Sequence, residues 1–460
     1  MSDTIAAIAT APGNSGIGIV RISGDDAISI ADKIYRSPSG KLSLKDTESH
    51  TIHYGHIFDE KEAVDEVLVS IFRSPRSFTG ENSVEINCHG GYFVTKKVLS
   101  TVLKAGARAA QPGEFTKRAF MNGRIDLSEA EAVIDIINAQ NDFSLKNSLT
   151  HLSGRVHDEI SVLRNSLLDE CAFIESALDD PEHYDVDEHR EALKEKCSEI
   201  YKKTGEIIYD SANCMLLKNG IKTLIIGKPN AGKSSLLNAM TGHERAIVTD
   251  IAGTTRDVIE ETVNLNGIIL NLTDTAGVRS SDDMIEKMGV DKALSLIDSS
   301  DLILYVFDPT DMIDEDDRKL SDAIKGKKVI ILLNKTDISG KNLSDESDEF
   351  LRSIGGDIIS ISAKTGFGLD DLKNKINDMF LFGQISCDEE IYLTNERQLE
   401  CLRRAYSSLQ NVVTAIEDGI SEDFITIDLM DAYMALGEIT GEQVSDDLAD
   451  RIFEKFCMGK

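Results

Sequence analysis

No stretch of this 460-residue chain runs through about 18 apolar residues without interruption, which argues against a membrane-spanning helix. The amino terminus, MSDTIAAIATAPGNSG, puts no positive charge ahead of a long apolar run. No leader is therefore expected, and the expected compartment is cytoplasmic, with no membrane partner. The seven cysteines (88, 171, 197, 214, 387, 401 and 457) are odd in number and never fall in C-x-x-C pairs, so neither a disulfide framework nor a zinc site is suggested. Positive charge is scarce too, with 49 Lys and Arg against 80 Asp and Glu and a formal net charge of −31. Phosphate binding needs clustered Lys and Arg, so a surface that embraces nucleic acid on all sides is excluded. Any nucleic-acid contact must be local or supplied by a partner. No repeat period and no low-complexity tract occurs.

What is present reads as several packed cores. A composition 41% hydrophobic and 28% charged is that of an ordinary globular protein, and the length suggests roughly three domains. Residues 1–118 mix strand-like runs, GIGIVRIS (16–23), VDEVLVSIF (64–72) and NSVEINCHGG (82–91), with Gly-containing turns, the pattern of an α+β domain. Over 119–215 the periodicity is helical. Within IDLSEAEAVIDIINAQ (125–140), Ser128 is expected as an N-cap with Glu131 three residues on. Between 216 and 380 strands alternate with helices: TLIIGK, IILNLTDTAG, DLILYVFD and KVIILLNKTD each end in a polar or glycine turn, a parallel-sheet signature. Helical texture returns over 381–460. The expectation is a multidomain α/β protein whose helical domain is discontinuous and carries an inserted Ras-like P-loop GTPase domain.

The inserted module carries the chemistry. Gly227-Lys-Pro-Asn-Ala-Gly232-Lys233-Ser234 matches G-x-x-x-x-G-K-[ST] between the apolar run TLII and a helix, SSLLNAM. Glycines let main-chain N–H groups approach phosphate oxygens, Lys233 puts a point charge on the β and γ phosphates, and the Ser234 hydroxyl reaches Mg²⁺. Asn230, Ala231, Gly232 and Ser235 complete this loop's expected contacts. Asp274, Thr275, Ala276 and Gly277 close a strand, where the carboxylate can hold the magnesium shell and the glycine N–H can sense the γ-phosphate. In Asn334-Lys335-Thr-Asp337 the Asp337 carboxylate can accept both the N1 hydrogen and the exocyclic amine of guanine, which adenine does not offer. Ser362, Ala363 and Lys364 would back the base with a main-chain N–H. Four motifs in this order specify a GTPase.

Between the first two motifs, Thr249, Asp250, Ile251, Ala252, Gly253, Thr254 and Thr255 form a polar loop, with Thr255 available as a second hydroxyl on Mg²⁺ and the loop a candidate switch ordered by the γ-phosphate. Val278 stands where regulatory GTPases carry the water-orienting glutamine. Another group must orient the attacking water. Glu286 is a candidate for that role as base or orienter, the alternative being a solvated helix-start glutamate.

TIAAIATAPGNSGIGIVRISG, SFTGENSVEINCHGG, QPGEFTKRAFMNGRIDLSEAEAV and the terminal CMGK, together with the inserted G domain, closely resemble the bacterial tRNA modification GTPase family MnmE, also called TrmE. The resemblance covers essentially the whole chain. It implies an N-terminal domain that is tetrahydrofolate-binding-like, forms a homodimer, and binds 5-formyl-tetrahydrofolate or a related folate as one-carbon donor. Arg21, Glu85, Arg124 and Lys460 are its implied folate contacts. Arg124 replaces a position that is often Lys in the family; Arg21 and Glu85, read as residues alone, are equally strand-end charges. The resemblance also implies a K⁺ ion where other GTPases use an arginine finger, with Asn230 as side-chain ligand and Thr249, Ile251 and Thr254 enclosing it. It implies Glu286 as the catalytic glutamate beside Lys233, and G domains that associate when GTP is bound. Cys457 matches a family cysteine considered for covalent attack on uridine; a thiol that only packs in the tail is the alternative. The implied function is GTP hydrolysis that, with a flavin-dependent MnmG (GidA)-like partner in a heterotetramer, adds a carboxymethylaminomethyl or aminomethyl group at carbon 5 of the wobble uridine of certain tRNAs. The tRNA would be held mostly by the partner. Two other readings are a ribosome-assembly GTPase, for which the chain lacks a basic extension, and a folate-dependent one-carbon transferase with a regulatory G domain.

Overall fold

The structure, a computed structural model, describes residues 3–179, 186–243, 260–265, 267–274, 294–339, 343–380, 391–442, 446–454 and 456–459. The chain divides into two compact units, one of Met1–Ile137, Ser148–Lys202 and Glu400–Lys460, the other of Asn138–Asn147 and Lys203–Leu399. None of the described helices is long and apolar enough to cross a membrane.

The first unit opens with strands β1 (Ile5–Ile8), β2 (Ile17–Ser23), β3 (Tyr35–Arg36), β4 (Thr51–Asp59), β5 (Glu62–Phe72), β6 (Ser83–His89) and β7 (Arg108–Ala109), in sheet order β3-β4-β5-β6-β2-β1-β7. Neighbours are antiparallel except β1 and β7. Side chains alternate faces along a strand. Val20 and Ile22, Val67, Val69 and Ile71, and Val84 and Ile86 therefore share one face and pack against helices α1 (Ala27–Ile34) and α2 (Tyr92–Lys104). The same alternation sends Arg21 and Glu85, paired in register, to the opposite face. There α3 (Glu114–Met121) contributes Phe115, packed with Ile5, Ala7, Ala110 and Phe78.

Helical packing in this unit follows heptad spacing. Val156, Ile160, Leu163, Leu167, Cys171 and Ile174 are buried along the helix Arg155–Asp179, as are Ile425, Leu429, Ala432, Leu436 and Ile439 along Glu422–Thr440. Arg164 lies in this packing with its guanidinium 4.3 Å over the Tyr433 ring, and an added Cβ on Gly437 would come within 2.9 Å of that guanidinium. One local expectation is corrected. Helix α4 (Leu127–Ile137) is capped by Asp126: its Oδ1 accepts the Glu129 N–H at 2.8 Å, and Glu129 Oε2 accepts the Asp126 N–H at 2.8 Å. Ser128 instead lies buried in the first turn and donates to Asp126. Asp126 wins because the helix starts at Leu127, two residues earlier than a Ser128 cap implies, and a carboxylate at the new cap position satisfies the orphan N–H groups of the first turn.

The second unit is built on β8 (Ile221–Ile226), β9 (Glu260–Leu265), β10 (Ile268–Asp274), β11 (Leu302–Phe307), β12 (Val329–Leu333) and β13 (Asp357–Ser360), ordered β13-β12-β11-β8-β10-β9 and parallel except for the β9–β10 pair. Continuous apolar strands are needed because helices cover both faces. Ile225, Leu304, Val306, Ile330 and Leu332 pack on one side with Leu236, Leu372 and Ile376. Leu224, Ile303, Tyr305, Ile331 and Leu333 pack on the other with Leu320, Ile324 and Leu351. The central strand β8 lies between β11 and β10, so the chain order reverses there, and ligand crevices in such sheets open at the carboxyl ends of the strands at this point. Leu304, fully buried at the sheet centre, provides a check: Leu304→Ala is expected to cost about 2–5 kcal/mol, read as a lower urea midpoint.

Candidate functional site

Three loops meet at the carboxyl ends of β8, β12 and β13. The first runs from β8 into the helix Lys233–His243 and has no room for a side chain at Gly227 or Gly232. Gly227 has φ +143° and Gly232 φ +103°. A Cβ on Gly227 would sit 2.2 Å from the Val306 carbonyl, and one on Gly232 would sit 2.1 Å from Asn334 Nδ2. Such a loop fits a ligand approached by main-chain N–H groups at a helix N-terminus, as a phosphate is. Lys233 Nζ donates to the carbonyls of Gly227 (2.8 Å) and Lys228 (2.7 Å). Ser234 and Ser235 are exposed, and Asn230, also exposed, holds φ +63°.

Asn334 ties the loops together. Its buried Nδ2 donates to the Ala231 carbonyl at 2.8 Å, while its Oδ1 accepts the Ala363 N–H at 3.0 Å. Lys335, at φ +59°, places Nζ 2.8 Å from Asp308 Oδ2 at the end of β11. Burial alone would raise the Asp308 carboxyl, but the Lys335 ammonium and two donors from Thr310 outweigh it and hold the group below the usual carboxylate range. Asp337 is exposed and its Oδ1 accepts from Ser362 Oγ at 2.8 Å. Lys364 is exposed beside them. Asp274 ends β10. Thr249, Asp250, Ile251, Ala252, Gly253, Thr254, Thr255, Thr275, Ala276, Gly277 and Glu286 lie outside the described residues. Asp308 and Ser362's hold on Asp337 were not read from the sequence: a lone Asp after an apolar strand looks like any turn residue.

A second cluster forms on the open face of the N-terminal sheet. Arg21 Nε donates to Glu85 Oε1 at 2.9 Å, and its guanidinium lies 5.5 Å from the Phe78 ring and 5.7 Å from that of Phe115. Arg124 stands 5.7 Å from the same Phe78 ring. Two of the four expected folate contacts, Arg21 and Arg124, thus stand by one aromatic ring, with Glu85 paired to Arg21; Lys460 is outside the described residues. Phe78 and Phe115 were missed as site residues, although SFTGENS and QPGEF carry them. The carboxyl-terminal tail reaches this cluster through its glycine. Gly459 (φ +84°) accepts from Arg21 Nη1 at 3.3 Å, and a Cβ there would meet the Ile8 carbonyl at 2.3 Å. Cys457 is exposed and borders an apolar cavity of about 590 Å³ lined by Ala7, Pro12, Tyr92, Ile137 and Met458.

Two outcomes follow. Asn334→Ala would leave the Ala231 carbonyl and the Ala363 N–H without their partner, at about 1–3 kcal/mol for each buried group, measurable as a lower unfolding midpoint without nucleotide. A thiol-reactive dye at pH 8 is expected to label Cys457 before Cys171 and Cys197, which burial pushes up to about 11 and about 12. Equal labelling of all three in the folded protein would contradict this packing.

A family model described as MnmE helical domain matches residues 127–457, and one described as GTP-binding protein TrmE N-terminus matches residues 4–124. The tRNA modification GTPase MnmE of Lachnoclostridium phytofermentans is 52% identical over 459 residues, covering 100% of each chain. Its counterparts in Thermoanaerobacter pseudethanolicus and Geobacillus thermodenitrificans are 47% and 45% identical over 461 residues, covering 100% of this chain and 99% of theirs. Identity of this degree over the full length, on a chain whose G-x-x-x-x-G-K-S loop is held through Asn334 against the Ser362–Lys364 segment, means that the chain belongs to the MnmE family of tRNA modification GTPases.

Proposed function

We propose that the protein hydrolyses GTP as part of a tRNA modification, and that the modification is the addition of a carboxymethylaminomethyl or aminomethyl group at carbon 5 of the wobble uridine of certain tRNAs. The observation that carries the first half is the Asn334 bridge, which presses a glycine-lined phosphate loop against the guanine-reading segment in one crevice. In this reading main-chain N–H groups of Asn230, Ala231, Gly232, Lys233, Ser234 and Ser235 cradle the phosphates, and Lys233 leaves its two carbonyl partners for the β and γ phosphates. Ser234 and Thr255 hold Mg²⁺, with Asp274 behind. Asp337, steadied by Ser362, selects guanine, and Glu286 orients the attacking water where Val278 replaces glutamine. Asn230, with Thr249, Ile251 and Thr254, would hold a K⁺ ion that supplies the positive charge an arginine finger supplies elsewhere.

The second half rests on the Arg21 cluster. Two guanidinium groups beside an aromatic ring, with a carboxylate in register, suit a flat heteroaromatic ring carrying polar edges, which fits a folate held by Arg21, Glu85, Arg124 and Lys460. The reading also takes the protein to be a cytoplasmic homodimer working with a flavin-dependent MnmG-like partner. A net charge of −31 leaves most tRNA phosphates to that partner. Cys457, exposed at the apolar cavity, is free to pack the tail or to react.

Hydrolysis measured in K⁺ and in Na⁺ at equal ionic strength tests the nucleotide half. Strong stimulation by K⁺ that is lost in Asn230→Ala is expected; equal rates in the two salts would overturn the ion site. Glu286→Ala is expected to lower kcat by roughly 100-fold or more, the scale of a lost general base, with GTP affinity nearly unchanged. For the folate half, Arg21→Met should abolish 5-formyl-tetrahydrofolate binding in titration calorimetry while leaving GTP hydrolysis intact.

A further inference from the structure

The second position of the phosphate loop, Lys228, is unspecified in the motif, yet its side chain is held at three points. Its Nζ lies 2.7 Å from Asp317 Oδ2 and 2.9 Å from Asp314 Oδ2, and it donates to the Met312 carbonyl. Asp317 is 1% exposed. Its other oxygen accepts the hydroxyl of Tyr305, fully buried on β11, at 2.8 Å. Asp314 and Asp317 also bond each other's main chain as a reciprocal cap on the helix Glu315–Ala323. The Asp317 carboxylate therefore has a hydroxyl, an ammonium and an N–H on it, as a buried charge requires. Burial alone would lower the Lys228 ammonium, but the bonds to Asp317 and Asp314 outweigh it and keep the group charged. Meanwhile the main-chain carbonyl of Lys228 accepts from Lys233 Nζ at 2.7 Å. One residue thus joins the phosphate-binding lysine, through its backbone, to a buried charge network, through its side chain.

We infer that Asp317, backed by Tyr305, is a positioning residue for the phosphate loop: by clamping Lys228 it sets the loop conformation that Lys233 and the neighbouring N–H groups present to the nucleotide phosphates. Resting on the GTPase reading, the proposal goes beyond it by placing a determinant of phosphate affinity on a helix that packs on the face of the sheet opposite the helix following the motif. A clamp of this kind acts on the phosphate end of the ligand, since in the GTPase reading Asp337, steadied by Ser362, reads the base from the ends of other strands.

The test titrates full-length protein with GDP in Mg²⁺ and, separately, with guanosine. Asp317→Asn and Lys228→Met are each expected to weaken GDP binding roughly tenfold, a normal size for coupling between sites, while guanosine affinity stays within about twofold. The double variant should be no weaker than either single one, because both remove one interaction. Lys228→Arg, which keeps the charge, should restore most of the affinity, and Tyr305→Phe, which deletes a single hydroxyl, should shift GDP binding the same way but less. Unchanged guanosine binding reports that each variant is folded. GDP affinity untouched in Asp317→Asn, or guanosine and GDP weakened together, would overturn the clamp. Wild-type protein that binds no guanine nucleotide would instead overturn the GTPase reading on which the clamp depends.

Discussion

A single buried amide holds the nucleotide crevice together. Asn334 bonds the phosphate loop and the Ser362 loop at once, giving to Ala231 and receiving from Ala363. A side chain that donates with one atom and accepts with the other can bridge two main chains that have opposite needs, which a carboxylate or an ammonium cannot. Gly232 must be glycine because this amide occupies the space a Cβ would take. The remaining parts hang on that bridge: Asp337 and Lys335 follow Asn334 directly, so the strand end that ties the loops also aims the residues that would read the base.

The same economy appears in the first unit, where Arg21 does the joining. Strand alternation puts it on the face away from the helices, its register partner is Glu85, and two phenylalanines from distant motifs flank its guanidinium. Its remaining contact is the carbonyl of Gly459. A tail of ordinary residues would be blocked there by the Ile8 carbonyl; the glycine admits it. Both sites thus combine a polar side chain, buried in Asn334 and half-buried in Arg21, with a glycine that lets a second segment come close.

The two sites differ in how charge is managed. In the nucleotide crevice, acids gather behind the loop: Asp308 holds Lys335, and Asp314 with Asp317 holds Lys228. These pairs fix the positions of Lys335 and Lys228 at the ends of β12 and β8. Around Arg21 one carboxylate, Glu85, pairs with one of two guanidinium groups that share the Phe78 ring.

Sequence by itself determined the element types and the GTPase motifs, because both are local. The period of apolar residues reports strand or helix, and the glycines, Lys233, Asn334 and Asp337 stand at spacings that a loop at a strand end imposes. The resemblance also singled out Arg21, Glu85 and Arg124 without showing why they meet. What only the tertiary structure decided are the long-range partners. The cap on α4 moved from Ser128 to Asp126 because the helix began earlier than the pattern suggested. Lys228 found Asp317, and Arg21 found Phe78, Phe115 and Gly459, because packing and register bring together residues whose separation along the chain carries no period. A buried charge or a close backbone approach is set by what folds against it, and no local pattern records that.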